Sequence, residues 1–484
     1  MIPELGTIDV VPLADDPRTP PAEDAAPEPS PPGDLGPIKA AERIAEMDIL
    51  RGFALLGICV INLQNFLGPN GIFGDSRMFP AWYDRTAEFL INLFGSGKFN
   101  AMFSFLFGVG FAIQMERADR SKVPFASMYL RRLVALFLFG AAHLILLWDG
   151  DVLHIYAALG LPLIFCRKLR DRWIWGLAVL TLVAPILFVM ILTAFEEKVE
   201  KTDPKAEARV AAKKEKKAHE SYDRGVERLK LLGRGEYVIP PYMPMSVRKQ
   251  REEAKDTTPV PATVKVVAES TYPAVVKYRV REWLKEMREG GMVFWSIFGT
   301  TLLIGFIAGR RRIFHDIPGH LRFIRRLTVI SGVIGIGLAM MFATAVLLAP
   351  PGEKLSLMGI LAGLGYILGR PFLCAFYIGI IILLAQTDRF RRLLTPLALV
   401  GRMPLTNYLM HSVVFSLLFY GYGLGLFYRI GPALSVPIAF TLYGIQVAYS
   451  TWWMKRFRFG PMEWLWRTLT YGKPPAMTTP SPIP

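Results

Sequence analysis

Apolar runs of roughly the length a bilayer core demands, about 20 residues, recur along this chain between short polar loops. They occupy 46–66, 98–116, 130–149, 151–167, 173–195, 291–309, 327–348, 360–386, 400–422 and 433–454. Within each run the apolar positions are continuous and too long for strands, so the pattern predicts helices. The alternation expected of a membrane barrel is absent, and open sheets cannot cross lipid. The expected fold class is therefore all-α: a polytopic membrane helical bundle of about ten transmembrane helices. The eighth run contains Gly363, Gly365, Gly369 and Pro371, a place for a break or kink. Segment 83–95 is short and amphipathic, which suits a helix at the interface or a re-entrant one.

The polar remainder divides the chain. Residues 1–42 are rich in Pro, Asp, Glu and Ala. They carry no charged start followed by an apolar core, so no signal peptide is expected. Such a composition cannot bury enough surface to fold, and 1–42 reads as a disordered tail; 473–484 reads the same way. Between them the expected organisation is a membrane bundle over 43–195, a charged insert over 196–290 and a second bundle over 291–472. The insert contains the helix-prone stretch AEARVAAKKEKKAHESYDRGVERLKLL, then the extended stretches VIPPYMPM and TTPVPATV. It predicts a helical hairpin or small cap. No repeat of fixed period is present, which counts against an inverted-repeat transporter.

Charge sets the orientation. Of 484 residues, 52% are hydrophobic and 20% charged, with 56 Lys and Arg against 40 Asp and Glu, a net charge of +16. The basic residues crowd into loops 116–132, 167–172, 309–326, 388–392 and 455–459. The alternate loops 67–82, 149–151, 349–356 and 423–432 nearly lack them. By the positive-inside rule, both termini are cytoplasmic, and the insert is extracytoplasmic, since long loops translocate largely regardless of charge. Anionic membrane lipid is the expected counter-charge, and nucleic acid is not an expected partner. Cys59, Cys166 and Cys374 lie in or beside apolar runs without CxxC spacing, so no disulfide framework is expected. The histidines, His143, His154, His219, His315, His320 and His411, form no ligand motif, and no metal is expected.

An ionisable group inside a membrane span costs a few kcal/mol on insertion scales and generally faces a partner or a cavity. In the first run Asp48 and Arg51 are three apart, as are Asn62 and Asn65, so each pair shares a helix face. Lys98 opens the second run, where it can also snorkel to the interface. His143, alone among apolar residues, reads as a packing residue. Arg402 precedes Asn407, Tyr408 and His411, a polar stripe at spacings of three and four that suits a ligand pocket. The stretch WDGDVLHIYAALG (148–160) is a tight helix–helix corner. Asp151 there is a good helix cap. His154 lies three residues on, within reach of the same carboxylate, with Tyr156 close behind. An aspartate so placed orients an imidazole and raises its basicity, which makes Asp151 and His154 a candidate general-base dyad.

MDILRGFALLGICVINLQNF, GKFNAMFSFLFGVGFAIQMER, RRLVALFLFGAAHLILLWDGDVLHIYAALGL and GRMPLTNYLMHSVV together resemble the YeiB family of bacterial inner-membrane proteins. The likeness covers most of 44–195 and 270–472. More distantly, the chain is similar to the transmembrane acyltransferases that include heparan-alpha-glucosaminide N-acetyltransferase and the acyltransferase-three group. The element at Asp48, Arg51 and Gly52 is part of that likeness, as is Asn62. The loop after Asn62 holds no histidine, so His154, on the same side, takes the catalytic place.

The resemblance implies transfer of an acyl group from cytoplasmic acyl-CoA, the co-substrate, to an extracytoplasmic acceptor: a small molecule, glycan or lipid. Asp48, Arg51 and Arg402 would stand on the coenzyme side. Asn62, Asn65, Lys98, Tyr156, Asn407 and His411 would bind substrate. His154 with Asp151 would be catalytic, and the acyl arm would thread a channel lined by the first, second and ninth spans. No GxGxxG or GxxxxGK[ST] supports a nucleotide site. A transporter or flippase, or a sensor working through the insert, also fits buried polar stripes, and a homo-oligomer stays open.

Overall fold

The computed structural model describes residues 43–67, 79, 81–122, 124–202, 271–288, 291–348, 357–427 and 429–478. The tail 1–42, the insert residues 203–270 with His219, and residues 479–484 lie outside them. Among the described residues there are fourteen helices: α1 (Ala45–Leu67), α2 (Trp82–Phe94), α3 (Lys98–Arg120), α4 (Phe125–Leu146), α5 (Leu153–Cys166), α6 (Asp171–Thr202), α7 (Tyr272–Arg288), α8 (Gly291–Arg310), α9 (Ile317–Leu348), α10 (Leu357–Ala385), α11 (Asp388–Gly401), α12 (Pro404–Phe419), α13 (Pro432–Met454) and α14 (Pro461–Tyr471). Seven stretches are long and apolar enough to cross a membrane, α2 and α3 forming one of them, and α5, α8 and α12 are shorter apolar helices. Seven and three make the ten segments that the hydropathy pattern marks.

α1 is the hub, packed against α3, α10, α11, α12 and α13. Small residues let it serve as one. Gly52 lies against the Leu397 carbonyl of α11, Gly401 against the Asp48 carbonyl, and Gly57 against the Phe99 ring. The α3–α8 crossing uses the same device, with Gly108 on the Leu302 carbonyl and Gly305 on the Phe105 carbonyl. Lipid supplies no hydrophobic drive between helices, so close backbone approach and van der Waals contact must hold them. Conversely, α6 and α9 turn Val179, Leu180, Val329 and Val333 outward. In water such a surface would be a liability; in lipid it is the solvated face.

The basic loops meet on one face. Asp171 pairs with Arg311 at 3.1 Å and Arg310 at 3.4 Å, while Glu116 pairs with Arg120 and Arg312. The opposite face is joined by Asp84 Oδ1, which accepts the Ala433 N–H at 3.0 Å, and by Tyr272, whose hydroxyl donates to the Leu146 carbonyl at 2.7 Å.

Four details differ from the pattern. The ninth run begins in the last residues of α11 and breaks at Arg402–Met403 before α12, because Pro404 has no N–H and sits in the first turn of α12. The eighth run continues as helix through Pro371. Segment 83–95 packs as α2 against α9 and α13 and turns at Gly95–Gly97 into α3. Residues 473–478, expected within a disordered tail, lie along α14: Met477 accepts the Arg458 N–H at 2.8 Å and Pro475 the Trp464 indole N–H at 2.8 Å. N–H donors of Arg458 and Trp464 hold their carbonyls, which composition does not reveal.

Candidate functional site

The corner between α4 and α5 places both catalytic candidates. Asp151 sits just before α5, and its Oδ2 accepts the His154 amide N–H at 2.9 Å. It therefore tethers one of the amides that a helix start leaves without a partner. The same Oδ2 lies 2.7 Å from His154 Nδ1. Its Oδ1 lies 2.8 Å from Nδ1 of His143, which comes up from α4. A carboxylate only accepts, so both Nδ1 atoms donate, and in the neutral imidazole of that tautomer Nε2 accepts. Ser412 Oγ donates to His143 Nε2 at 2.8 Å. Trp283 of α7 donates its indole N–H to His154 Nε2 at 3.4 Å.

His143, Asp151, His154 and Ser412 are all buried, the last completely. Burial drives the Asp151 carboxyl up, but the hydrogen bonds from His143 and His154 outweigh it and hold it below the ordinary carboxylate range. Gly140, one turn before His143, lets α5 approach: a Cβ there would meet the His154 amide nitrogen and stand 2.7 Å from Asp151 Oδ2. His143, read from the sequence as a packing residue, is buried with a polar partner at each ring nitrogen. The Nδ1 atoms both point at carboxylate oxygens rather than at a common point, and among the described residues no cluster is placed to hold a metal ion.

Below this corner runs a cavity of about 250 Å³. At the basic face it is walled by Arg43, Arg51, Arg117, Arg132, Arg402 and Arg467, with Asp48 and Glu463 among them. Asp48 binds Arg51 at 2.6 Å. Burial holds the Arg43 and Arg402 guanidinium groups below the usual arginine value, aided at Arg43 by Arg51 and Arg458 and at Arg402 by Arg43, and pushes Arg467 down to about 10. Further in, the wall becomes apolar: Ile58 of α1, Phe103, Leu106, Phe107 and Gly110 of α3, and Leu136 of α4. The inner end is formed by Val152, Leu153 and Tyr156 of α5 with Tyr408 of α12. Tyr408 accepts the Val152 N–H at 3.4 Å and sets its ring 5.1 Å from that of His143. Tyr156 donates to the Asn100 carbonyl at 2.9 Å.

The structure brings Asp48, Arg51, Arg402 and Tyr156 to this cavity, and Asp151 and His154 behind its inner end. Five other candidates stand elsewhere. Asn407 and His411 are completely buried between α12 and α13. His411 meets Gln446 at 2.7 Å, Asn407 donates to Ser450 at 3.1 Å, and Gln446 donates to the Asn407 carbonyl at 2.9 Å. Asn62 is buried and Asn65 half-buried on α1, and neither lines the cavity. Lys98 does not reach for the interface. It is 2% exposed and donates to the Asn92 carbonyl at 2.6 Å, near the equally buried Arg370, whose guanidinium lies 4.4 Å from the Tyr366 ring.

Tyr408, part of the polar stripe read from the sequence, lines the cavity; Ser412, Arg467 and Glu463 were not legible as site residues. Ser412 gave one signal, its spacing of four from Tyr408 in a polar stripe. Glu463 is buried at the start of α14, where Oε1 accepts the Leu405 N–H at 2.5 Å and Oε2 the Thr406 hydroxyl at 2.6 Å.

Fold and site together define an all-α polytopic membrane protein with a buried Ser–His–Asp–His chain behind the inner end of an arginine-mouthed cavity. The chain belongs to the family of YeiB- and YxaH-like proteins. It is 31% identical over 454 residues to "Uncharacterized protein YxaH" of Bacillus subtilis (strain 168), covering 90% of this chain and 96% of that protein. It is 26% identical over 455 residues to "Uncharacterized protein YeiB" of Escherichia coli (strain K12), covering 89% and 96%. A protein encoded in the amylase 3' region of Bacillus acidopullulyticus is 26% identical over 443 residues, covering 91% and 97%. Residues 308–473 match the family described as "Protein of unknown function (DUF418)". No solved structure matches.

Proposed function

We propose that this protein is an acyltransferase of the bacterial inner membrane, with both termini cytoplasmic, that moves an acyl group from cytoplasmic acyl-CoA to an extracytoplasmic acceptor. One observation carries this: a single cavity runs from six arginines on the basic face, through an apolar shaft, to the corner that holds Asp151. Guanidinium groups bind phosphate oxygens in pairs, which suits the phosphates of coenzyme A. The apolar shaft suits the pantetheine arm and the acyl group. At its end His154, fixed in one tautomer by Asp151, takes a proton from an acceptor hydroxyl or amine and so makes it a nucleophile for the thioester carbonyl. The acceptor would arrive from the face on which α7 lies, where Trp283 now holds His154 Nε2.

The test is titration of the purified full chain in detergent with acetyl-CoA and a long-chain acyl-CoA, following binding and thioester loss. Saturable binding is expected, weakened about tenfold or more in Arg402→Ala, as loss of a charge-assisted phosphate contact implies. His154→Ala should bind like the wild type and lose steady-state thioester turnover. Absence of saturable binding in folded protein would sink the proposal.

A further inference from the structure

Direct attack assisted by His154 gives no task to His143 or Ser412, yet these two make the best-formed contacts of the corner. Ser412 is 0% exposed, and its hydroxyl donates to His143 Nε2 at 2.8 Å. Other serines of the bundle behave differently: Ser331, Ser416 and Ser435 donate to the carbonyl three residues earlier on their own helices. Ser412 instead faces an imidazole on another helix, and the far nitrogen of that imidazole is held by a carboxylate 2.8 Å away. A hydroxyl, a base within hydrogen-bond reach and a third group orienting the base make an activated nucleophile. Ser412 also continues the stripe of α12 that walls the cavity. Leu405 and Tyr408 line it, and Ser412 follows one turn beyond, directly behind Tyr408.

We propose that Ser412, His143 and Asp151 form a nucleophilic triad, and that Ser412 carries the acyl group between donor and acceptor. This rests on the acyltransferase proposal and adds a covalent stage to it. In the first half-reaction the Ser412 hydroxyl proton passes to His143 Nε2. Oγ bonds to the thioester carbonyl carbon, the C–S bond breaks, and coenzyme A departs as its thiolate. Asp151 stabilises the imidazolium left on His143. In the second half-reaction the acceptor hydroxyl or amine gives its proton to His154 Nε2, and its oxygen or nitrogen bonds to the ester carbonyl carbon. The C–Oγ bond breaks, and Ser412 recovers its proton from His143. The proton then released from His154 balances the thiolate. One carboxylate bearing two histidines thereby serves two half-reactions. Ser412 does not itself line the cavity, so the triad requires the Tyr408 side chain, which does, to move aside for the thioester.

The experiment is incubation of the full chain in detergent with acetyl-CoA and no acceptor, an acid quench, intact mass measurement and peptide mapping. The expected result is an acetyl ester on the peptide containing Ser412, absent from Ser412→Ala and His143→Ala. In His154→Ala it should persist on the order of 100-fold longer, the scale of a lost general base. Should the alanine variants fail to fold, Ser412→Cys keeps the question open to refutation: it should carry the group as a thioester released by neutral hydroxylamine. Saturable binding without any ester at position 412, in wild type and His154→Ala alike, would overturn the triad and leave direct transfer standing. No binding and no consumption in folded wild type would instead remove the acyltransferase proposal on which the triad rests.

Discussion

Asp151 and Glu463 are both buried carboxylates that take backbone N–H groups at the start of short apolar helices, α5 and α12. Their remaining partners separate them. Asp151 receives two imidazole N–H groups, and these overcome its burial and keep it ionised. Glu463 receives Thr406 and backbone amides, burial wins, and its carboxyl is raised above the ordinary value. Each site anchors a helix. Only the Asp151 corner also sets imidazoles, groups able to pass a proton, against the carboxylate that anchors the helix. A buried acid is informative here through what it orients, not through its burial.

That contrast breaks most visibly under Asp151→Asn. The amide leaves the geometry nearly intact but offers His143 and His154 the wrong hydrogen-bonding partner, and thioester turnover should fall on the order of 10⁴-fold, as in a triad whose aspartate is amidated. A fall of less than about tenfold would place the chemistry elsewhere. Next in size is Gly140→Ala. Its methyl group would press on the His154 amide and Asp151 Oδ2. We expect a loss of about 1–3 kcal/mol in stability from overpacking, read by thermal unfolding in detergent, together with slower turnover. Glu463→Gln should be the mildest. It preserves the acceptor for the α12 amides, costs about 1 kcal/mol or less, and leaves turnover within about threefold. A large loss of turnover with little loss of stability would make Glu463 part of the reaction.

Acid sharpens the same comparison, with opposite signs. The folded Asp151 binds a proton less readily than the unfolded chain, so its contribution is complete above about pH 4 and is lost as pH falls through its lower folded value. The folded Glu463 binds a proton more readily, so ionisation at neutral pH costs stability, and that cost disappears as pH falls through its raised value. Unfolding midpoints measured from about pH 7 to pH 3 should therefore show Asp151→Asn without the acid loss and Glu463→Gln without the acid gain.

Sequence pattern alone determined the class of the molecule. Ten apolar stretches, loops alternately basic and bare, and a corner at WDGD follow from the cost of placing polar backbone and charge in lipid, which is a local property of each stretch. The Asp151–His154 contact was legible for the same reason, since three residues on one helix start fix the distance. Asp48 with Arg51 was legible likewise. The tertiary structure decided the rest. His143 lies eight residues before Asp151 and Ser412 lies 269 residues after His143, so their meeting depends on how α4, α5 and α12 pack, and no spacing rule encodes it. Asn407 and His411 share a helix face as their spacing requires, but which helix that face meets is a matter of packing, and α13 supplied Gln446 and Ser450. Lys98 is the same case: hydropathy places it at a helix start, and only the neighbouring turn at Gly95–Gly97 decides that its ammonium turns inward to the Asn92 carbonyl rather than out to water. Local energies set which segments enter the membrane, and close packing between distant segments chose which of their polar groups would meet.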